Sequence, residues 1–362
     1  MQWSPQQEGA LVAVADWLKD EHGPQVFRLF GWAGTGKSTL AKHLAGDAGR
    51  VVYAAFTGKA ALVMRKRGCE GASTIHSLIY RLKEEKGGQP EFELNPDSEI
   101  VDADLVVIDE VSMVGHELAQ DLLSFGRKVL VLGDPGQLSP VRDVGFFTNA
   151  EPDVMLTEIH RQAAENPIIQ MSVAVRERRG LAYGAYGDSK VIHHSEVDRA
   201  EVLAADQILA GRNATRTTYN NRVRQLRDMP ALIPVPGDRL VCLRNNRQNG
   251  LLNGQIWIAK QVKRKGKQIL QMLLASEDDQ RIDLMVHSHE YFFAGREDEL
   301  PHYERRKFDE FTFGYCLTVH KAQGSQWDSV YLFDESRVFR EDALKWTYTG
   351  LTRAAEKITV VM

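Results

Sequence analysis

Cysteine is scarce in this chain. The three present, Cys69, Cys242 and Cys316, are odd in number, far apart and free of any C-x-x-C pair. That spacing excludes a disulfide framework, argues against a structural zinc site and fits a reducing cytoplasm. Long apolar runs are also missing. The most hydrophobic stretches, DLVVID and KVLVLGD, are strand-length and broken by charge, so no apolar helix long enough to cross a membrane is expected. The opening MQWSPQQEG lacks the basic and apolar regions of a signal peptide, and a cytoplasmic protein is the expectation. An overall positive charge is absent too: 45 Lys and Arg stand against 49 Asp and Glu, a net charge of −4. Coating of nucleic acid by bulk charge is thereby excluded, while a local basic groove is not. Two basic clusters do occur, Arg212, Arg216, Arg222, Arg224 and Arg227 in one stretch and KRKGK over 263–267. The second reads best as a solvated hairpin tip.

What is there is a punctuated α/β pattern. A chain of 362 residues, 43% of them hydrophobic, can bury cores in two or three domains. Ser4-Pro5-Gln6-Gln7 sets a serine N-cap, a proline at the first helical position and a glutamine three residues after the cap. This predicts an amphipathic helix through about Lys19. QVFRLF (25–30) reads as a buried strand running into GWAGTGKSTL, followed by a helix over 37–45 and a strand over 51–56. Strand, glycine loop, helix, strand is the order of a parallel sheet. DLVVIDE and KVLVLGD add two strands whose polar ends should carry the chemistry. EEKGGQPEFELNPDSE is polar and turn-rich and reads as a small inserted hairpin. Past Asn166 the α/β pattern resumes. From Pro236 to about Asp309, short β-like segments separated by NG, KGK and EDD turns suggest a small β-barrel insert, after which FTFGYCLTVHKAQG returns to α/β.

The glycine loop fits G-x-x-x-x-G-K-[ST]. Gly31, Gly34 and Gly36 let the backbone approach phosphates with its N–H groups turned inward, and Thr35 and Thr39 belong to the same loop and helix start. Lys37 adds a point charge for the β- and γ-phosphates, and Ser38 a hydroxyl ligand for Mg²⁺. In VVIDEVS, Asp109 is placed to hold Mg²⁺ and Glu110 to orient or deprotonate the attacking water. Gln137 in LGDPGQLSPV could sense the γ-phosphate or merely belong to a Pro-Gly turn capped by Asp134; on chemistry alone both readings stand. Arg161 in LTEIHRQ and Arg353 in YTGLTRA come from different parts of the chain. A charge arriving from a second domain can stabilise the transition state and couple hydrolysis to closure, although surface arginines are abundant.

Gln7, GWAGTGKST, AFTGKAA, STIHSL, VVIDEVSM, LGDPGQLSPV, LTEIHRQ, LTVHKAQG and YTGLTRA, in this order, resemble the motifs of superfamily 1 helicases. The TGKAA, DEVSM and TVHKAQG forms are those of the RecD-like and Dda-like branch. The resemblance implies an α/β fold of two RecA-like P-loop domains with ATP and Mg²⁺ between them, a β-hairpin pin in the first and a small SH3-like β-barrel in the second. The corresponding ranges are 1–80 and 103–160 for the first RecA-like domain, 81–102 for the pin, 161–240 and 311–362 for the second, and 241–310 for the barrel. Gln7 is implied to read the adenine edge, a role compatible with its place in a capping box. Gln137 becomes a γ-phosphate sensor, Arg161 and Arg353 become fingers, and Gln323 and Gly324 face the ATP cleft. Thr57, Lys59, His76, Thr318, His320 and Lys321 are implied to line a DNA track, where hydroxyls and basic groups suit a phosphate backbone. Read without the resemblance, His76 is a helix-start histidine and His320 a polar residue after a strand. Phe92, the sole aromatic of the expected pin, could stack on bases or pack on the domain. Asn213, Arg216 and Asn220 are expected near the second domain's DNA face. Phe56 departs from the branch, which usually has proline before TGKAA.

The expectation is therefore an ATP-dependent DNA helicase or translocase that moves 5′→3′ on single-stranded DNA, the polarity resting on resemblance alone. Single-stranded DNA, single/double-strand junctions, a single-stranded-DNA-binding protein and replication or repair proteins are the expected partners. A monomer in a bacterial or phage-infected cytoplasm is the expected state. An RNA helicase of the same superfamily and an ATP-binding module with weak hydrolysis are the alternatives. A GTPase-type switch is disfavoured by the missing NKxD guanine motif, and a small kinase by the second set of motifs.

Overall fold

The computed structural model describes residues 3–362 apart from 47, 83–91, 141–144, 160–164, 231, 247–248, 250, 252 and 278–282, and at Leu82 and Phe92 the backbone only. Helix α1 (Pro5–Lys19) opens on the expected capping box: Ser4 Oγ accepts from the Gln7 N–H at 3.3 Å, and Gln7 Oε1 accepts from the Ser4 N–H at 3.1 Å. Its Ala10, Val14 and Trp17 are buried. Strand β1 (Val26–Gly31) then runs into the glycine loop and helix α2 (Lys37–Leu44), followed by β2 (Val51–Ala55), α3 (Gly58–Lys66), β3 (Ser73–Thr74) and α4 (Ile75–Ile79). Strands β4 (Tyr80–Leu82) and β5 (Phe92–Leu94) pair antiparallel as a separate two-stranded sheet. Next come β6 (Leu105–Asp109), α5 (His116–Leu123), β7 (Lys128–Gly133) and β8 (Val154–Leu156).

The first large sheet has the order β3-β2-β6-β7-β1-β8, every pair parallel. A parallel sheet is covered on both faces, so its strands are apolar throughout rather than alternating. Accordingly all five residues of β6 are buried. One face packs Leu29, Val107 and Leu130 against Val14, Leu40 and Met64, while the other packs Phe30, Ile108 and Val131 against Ile75, Leu122 and Phe147.

The second half begins with α6 (Pro167–Arg176) and continues through β9 (Gly184–Tyr186), β10 (Ser189–Ile192), α7 (Arg199–Ala204), β11 (Gln207–Ala210) and α8 (Asn213–Leu226). Strands β12 (Arg239–Cys242), β13 (Ile256–Arg264), β14 (Ile269–Ser276) and β15 (Asp283–His289) follow, with α9 (Glu290–Ala294), α10 (His302–Arg305) and β16 (Phe311–Phe313). The chain ends with β17 (Cys316–Thr318), β18 (Trp327–Phe333), α11 (Ala343–Leu351) and β19 (Ala354–Val361). The second sheet, β17-β11-β18-β19-β10-β9, is parallel except for the β9–β10 hairpin at its edge. The sequence reading assigned no element to that hairpin or to α7. Three- and four-residue edge strands of mixed composition carry too little periodicity to be seen.

Between α8 and β17 lies a five-stranded antiparallel sheet, β15-β14-β13-β12-β16. Its entry and exit strands are neighbours, Leu240 opposite Phe313. Leu240, Trp257 and Phe311 share one apolar cluster with Ile208, Val223 and Tyr331 of the second half. At the root, Arg224 of α8 meets Asp238 through two bonds of 2.9 and 3.0 Å, both side chains buried. Asp238 also accepts from the Tyr315 hydroxyl at 2.9 Å and the Val235 N–H at 2.7 Å, so the buried charge is fully partnered.

Candidate active site

The glycine loop turns through two residues in the left-handed region, Gly34 at φ 82° and Gly36 at φ 81°. A side chain there would strain the backbone. Helix α2 starts directly behind, with Lys37 at its first position. The Lys37 ammonium folds back onto the loop, donating to the carbonyls of Gly31 at 2.5 Å and Trp32 at 2.9 Å, and lies 4.0 Å from Asp134. Gly31 itself is needed for packing: a Cβ there would come within 2.8 Å of the Leu156 Cβ. Gln7 donates to the Thr35 carbonyl at 3.0 Å, so the first turn of α1 holds the loop from behind. Its neighbour Gln6 accepts from the N–H groups of Thr157 and Glu158 at 2.8 and 2.9 Å.

Asp109 ends β6, and its carboxylate accepts from the next N–H, that of Glu110, at 2.8 Å. Glu110 has φ 55° and ψ 45°, a left-handed conformation that a non-glycine residue adopts at a cost of about 1 kcal/mol or more. Glu110 lines the cleft from this position. Burial pushes the Glu110 carboxyl above its usual range, with the Arg353 charge opposing, Asp109 adding, Lys37 opposing and Asp134 adding. Asp134, beyond β7, is likewise raised by burial and opposed by Lys37. It accepts from the Tyr348 hydroxyl at 2.7 Å and the Gly136 N–H at 2.9 Å.

These groups converge on a cavity of 310 Å³ at the seam between the two parallel sheets. Gly34, Gly36, Lys37, Ser38, Thr39, Asp109, Glu110 and Gln137 line it from the first half, and Gly324, Ser325, Thr352 and Arg353 from the second. Arg353 is 5% exposed and held by three acceptors, the carbonyls of Thr349 and Ser325 at 3.1 Å each and the Thr352 hydroxyl at 3.2 Å. Gly31, Thr35, Gln7 and Gln323 stand behind the lining. Gln323 donates to the Leu138 carbonyl at 2.9 Å. Arg161 lies outside the described residues.

The seam has an anchor that sequence reasoning missed. Leu138, next to Gln137, is 2% exposed and buried in the second half's core beside Val319, Trp346 and Leu351. Its N–H donates to Thr349 Oγ1 at 3.0 Å. Tyr348 is a second missed residue: its hydroxyl donates to Asp134 and accepts from the Ala33 N–H of the glycine loop at 2.8 Å. The signal for both was present in the motifs GDPGQLSPV and YTGLTRA, but nothing local says that one reaches the other.

The residues assigned to a nucleic-acid track fall in three places. Thr57 caps α3, accepting from the Ala60 N–H at 3.2 Å, and a Cβ on Gly324 would lie 2.4 Å from its hydroxyl. Lys59 is 8% exposed, with its ammonium 4.7 Å from the centre of the Trp327 ring across the seam. His76 is exposed on α4 between the rings of Phe56 at 5.9 Å and Tyr80 at 6.0 Å, at the foot of the β4–β5 hairpin. Phe92 is on β5 opposite Leu82, and its side chain lies outside the described residues. After β17, Thr318 Oγ1 accepts from the Lys321 N–H at 3.2 Å, and Lys321 donates to Asn253, in the turn before β13, at 2.7 Å. His320 sits 5.4 Å from the Phe339 ring; burial lowers the pKa of both His320 and Lys321. Asn220 does not face outward: its amide donates to the Cys316 carbonyl and accepts from the Cys316 N–H, tying α8 to β17.

Two parallel sheets of RecA type clasping a glycine-loop cleft define a P-loop protein with two such halves. Comparison with known proteins carries this further. Residues 3–197 match the family model described as an AAA domain, and residues 313–361 that of a UvrD-like helicase C-terminal domain. The chain is 30% identical over 371 residues to the ATP-dependent RecD2 DNA helicase of Deinococcus radiodurans, covering 92% of this chain and 46% of that protein. It is 31% identical over 163 residues to the ATP-dependent DNA helicase dda of Enterobacteria phage T4, covering 40% of this chain and 36% of that protein. The chain thus spans less than half the length of these curated relatives. Among solved structures, Bacteroides Pif1 bound to single-stranded DNA superposes with a TM-score of 0.60 at 17% identity, covering 99% of this chain and 92% of that one. The Pif1 helicase of Candida albicans superposes with a TM-score of 0.56 at 18% identity, covering 100% and 94%. The chain belongs to the AAA-domain family of the first model, and its ordered motifs are similar to those of the RecD-like and Dda-like superfamily 1 helicases represented by these relatives.

Proposed function

We propose that this chain is an ATP-driven motor on single-stranded DNA, hydrolysing ATP at the seam and using the resulting opening and closing to translocate 5′→3′ and to unwind duplex ahead of it. The observation that carries this reading is the composition of the cavity: Glu110 comes from one parallel sheet and the buried guanidinium of Arg353 from the other. A site completed by two separate bodies works only when they close, so each turnover is a relative movement.

The residues fit ATP and Mg²⁺. Ser38 offers a hydroxyl and Asp109 a carboxylate, hard oxygen donors suited to Mg²⁺, and the amide oxygen of Gln137 is buried with no partner among the described residues. No group of three or more His, Cys, Asp or Glu side chains forms a metal cage among the described residues. Mg²⁺ usually keeps several waters and takes the rest of its shell from a few protein oxygens and the substrate's phosphates, and when bound it neutralises charge on those phosphates. The Lys37 ammonium would leave its loop carbonyls for the β- and γ-phosphates. Glu110 would take a proton from a water whose oxygen bonds to the γ-phosphorus as the bond to the ADP oxygen breaks. Arg353 would meet the charge that develops. Gln137 is assigned to sensing the γ-phosphate, and Arg161 to a second finger.

In this proposal the two parallel sheets correspond to RecA-like domains over 1–80 with 103–160 and over 161–240 with 311–362. The β4–β5 hairpin serves as the pin, and the antiparallel sheet is an SH3-like barrel. The DNA would pass Thr57, Lys59, His76, Phe92, Thr318, His320 and Lys321, with a strand junction at the hairpin. The test is steady-state ATP hydrolysis with and without oligo-dT, with oligo-U as comparator. Strong stimulation by oligo-dT is expected. Preference for oligo-U would make the chain an RNA motor, and hydrolysis indifferent to both would remove the motor reading.

A further inference from the structure

A second cavity, of 560 Å³, adjoins the first and shares Val63 and Gln326 with it as a common wall. It is bounded by α3 of the first half, by α7 and the start of β18 of the second, and by the root of the antiparallel sheet. Its position relative to a bound nucleotide follows from the strand order. Helix α1 and the outer strand β8 flank the glycine loop on one side, and Gln7 reaches the loop from there. Helix α3 follows β2, on the far side of β6 and its Asp109. A nucleotide whose base end lies toward α1 therefore points its terminal phosphate toward α3 and the second cavity.

The charge along this way out is positive. Exposed Arg67 lines the first cavity at the end of α3 and forms no ion pair among the described residues. Lys59, exposed Lys66 and Arg227 line the second, Arg227 lying 5.0 Å from the centre of the Tyr315 ring. Arg239 is already matched by Glu277, through bonds of 2.7 and 2.8 Å. With that pair set aside, Lys59, Lys66 and Arg227 face Asp206 and Asp328 along the second cavity, and Asp206 also accepts from the Ser329 N–H at 2.8 Å.

We propose that this second cavity is the exit for inorganic phosphate after cleavage, with Arg67 at its threshold and Lys66 and Arg227 along its walls. The inference rests on the reading of the seam as an ATPase site. ADP blocks the α1 side of the cleft while it remains bound, so the cleaved phosphate has the α3 side left to it. A dianion leaving a low-dielectric cleft needs a cationic path, and charges along a path change transit rates by ten-fold or more without being at its end point.

The experiment compares single-turnover ATP cleavage, by rapid acid quench, with phosphate release, by a fluorescent phosphate-binding sensor, in wild type and in two charge reversals. These are Lys66→Glu on α3 and Arg227→Glu on the opposite wall. Cleavage is expected to be unchanged within two-fold in both, while release lags by roughly ten-fold, so that cleaved phosphate accumulates on the enzyme. Because a path residue alters entry and exit together, equilibrium product inhibition by added phosphate should stay within two-fold of wild type. Release that keeps pace with cleavage in both variants overturns the exit route. Loss of cleavage itself in the variants overturns it too, since it would place these residues in the chemistry. Wild-type enzyme that cleaves no ATP, alone or with oligo-dT, removes the underlying ATPase reading and is distinguishable from either result.

Discussion

Replacing Tyr348 by phenylalanine removes a single oxygen from the middle of the seam. That oxygen donates to the Asp134 carboxylate at 2.7 Å and accepts from the Ala33 N–H at 2.8 Å, joining α11 to both the glycine loop and the end of β7. The ring is 2% exposed and would be kept, so no cavity of consequence opens. A hydrogen bond to a buried carboxylate contributes about 1.5–3 kcal/mol, and an orphaned buried N–H costs about 1–3 kcal/mol. Part is recovered, because Gly136 still donates to Asp134 and Lys37 remains 4.0 Å away. The net expected loss is about 2 kcal/mol. The assay is a double-mutant cycle of Tyr348→Phe with Asp134→Asn, read by urea unfolding. A coupling energy of at least about 1 kcal/mol is expected for a directly bonded buried pair. The bond from Tyr348 also lowers the Asp134 pKa against the effect of burial. Its removal should carry the Asp134 carboxyl further up and weaken the ionic partner of Lys37, raising the KM for ATP. Single variants that lie within about 0.5 kcal/mol of wild type and combine additively would refute the bridge as an energetic link between the halves.

Glu110→Gln should lower the hydrolysis rate by about 10²–10⁴-fold while ATP still binds, measured by turnover and by fluorescent-nucleotide titration. Because burial raises the Glu110 pKa, the base form is lost sooner on acidification. The acid limb of the ATPase pH profile should fall above the usual carboxylate range and disappear in the Gln variant. Leu138→Ala should cost about 2–5 kcal/mol by cavity formation and, since Leu138 sits in the opposite half's core, should reduce stimulation of hydrolysis by oligo-dT. Asp238→Ala, which strands the buried Arg224 guanidinium, should destabilise by about 3–5 kcal/mol, whereas Arg224→Met with Asp238→Leu should recover much of the loss; urea unfolding checks both.

How much was legible follows from how local each feature is. The glycine loop, the Asp109–Glu110 strand end and the capping box of α1 are each specified within ten residues, and the structure places each at those residues. The two parallel sheets were readable because a sheet covered on both faces leaves continuous apolar runs such as LVVID. The left-handed turn at Glu110 was not readable, since nothing in VVIDEVS marks a glutamate for positive φ. Nor was the bond between Tyr348 and Asp134, whose partners stand 214 residues apart. Lys59 shows the limit from the other side. Its place over Trp327 arises from a strand that begins far along the chain, which its local motif does not announce. The β9–β10 edge hairpin escaped because its stability comes from β19, laid down last.

The way the antiparallel sheet is spliced into the second half has a consequence for the order of folding. Strands β11 and β17 are neighbours in the finished sheet, Ile208 beside Cys316, yet the whole five-stranded insert is synthesised between them. Closing so long a loop from a disordered chain would be slow. The β12–β16 pairing removes most of that burden, because once Leu240 lies opposite Phe313 the two ends of the insert are held together and β17 is delivered next to β11. The insert is thus expected to fold before the sheet that hosts it, and the second half to acquire its cavity-lining Gly324–Arg353 segment only afterwards. Pulse-labelled hydrogen exchange should show protection at Val241 and Trp257 before Leu209 and Leu317.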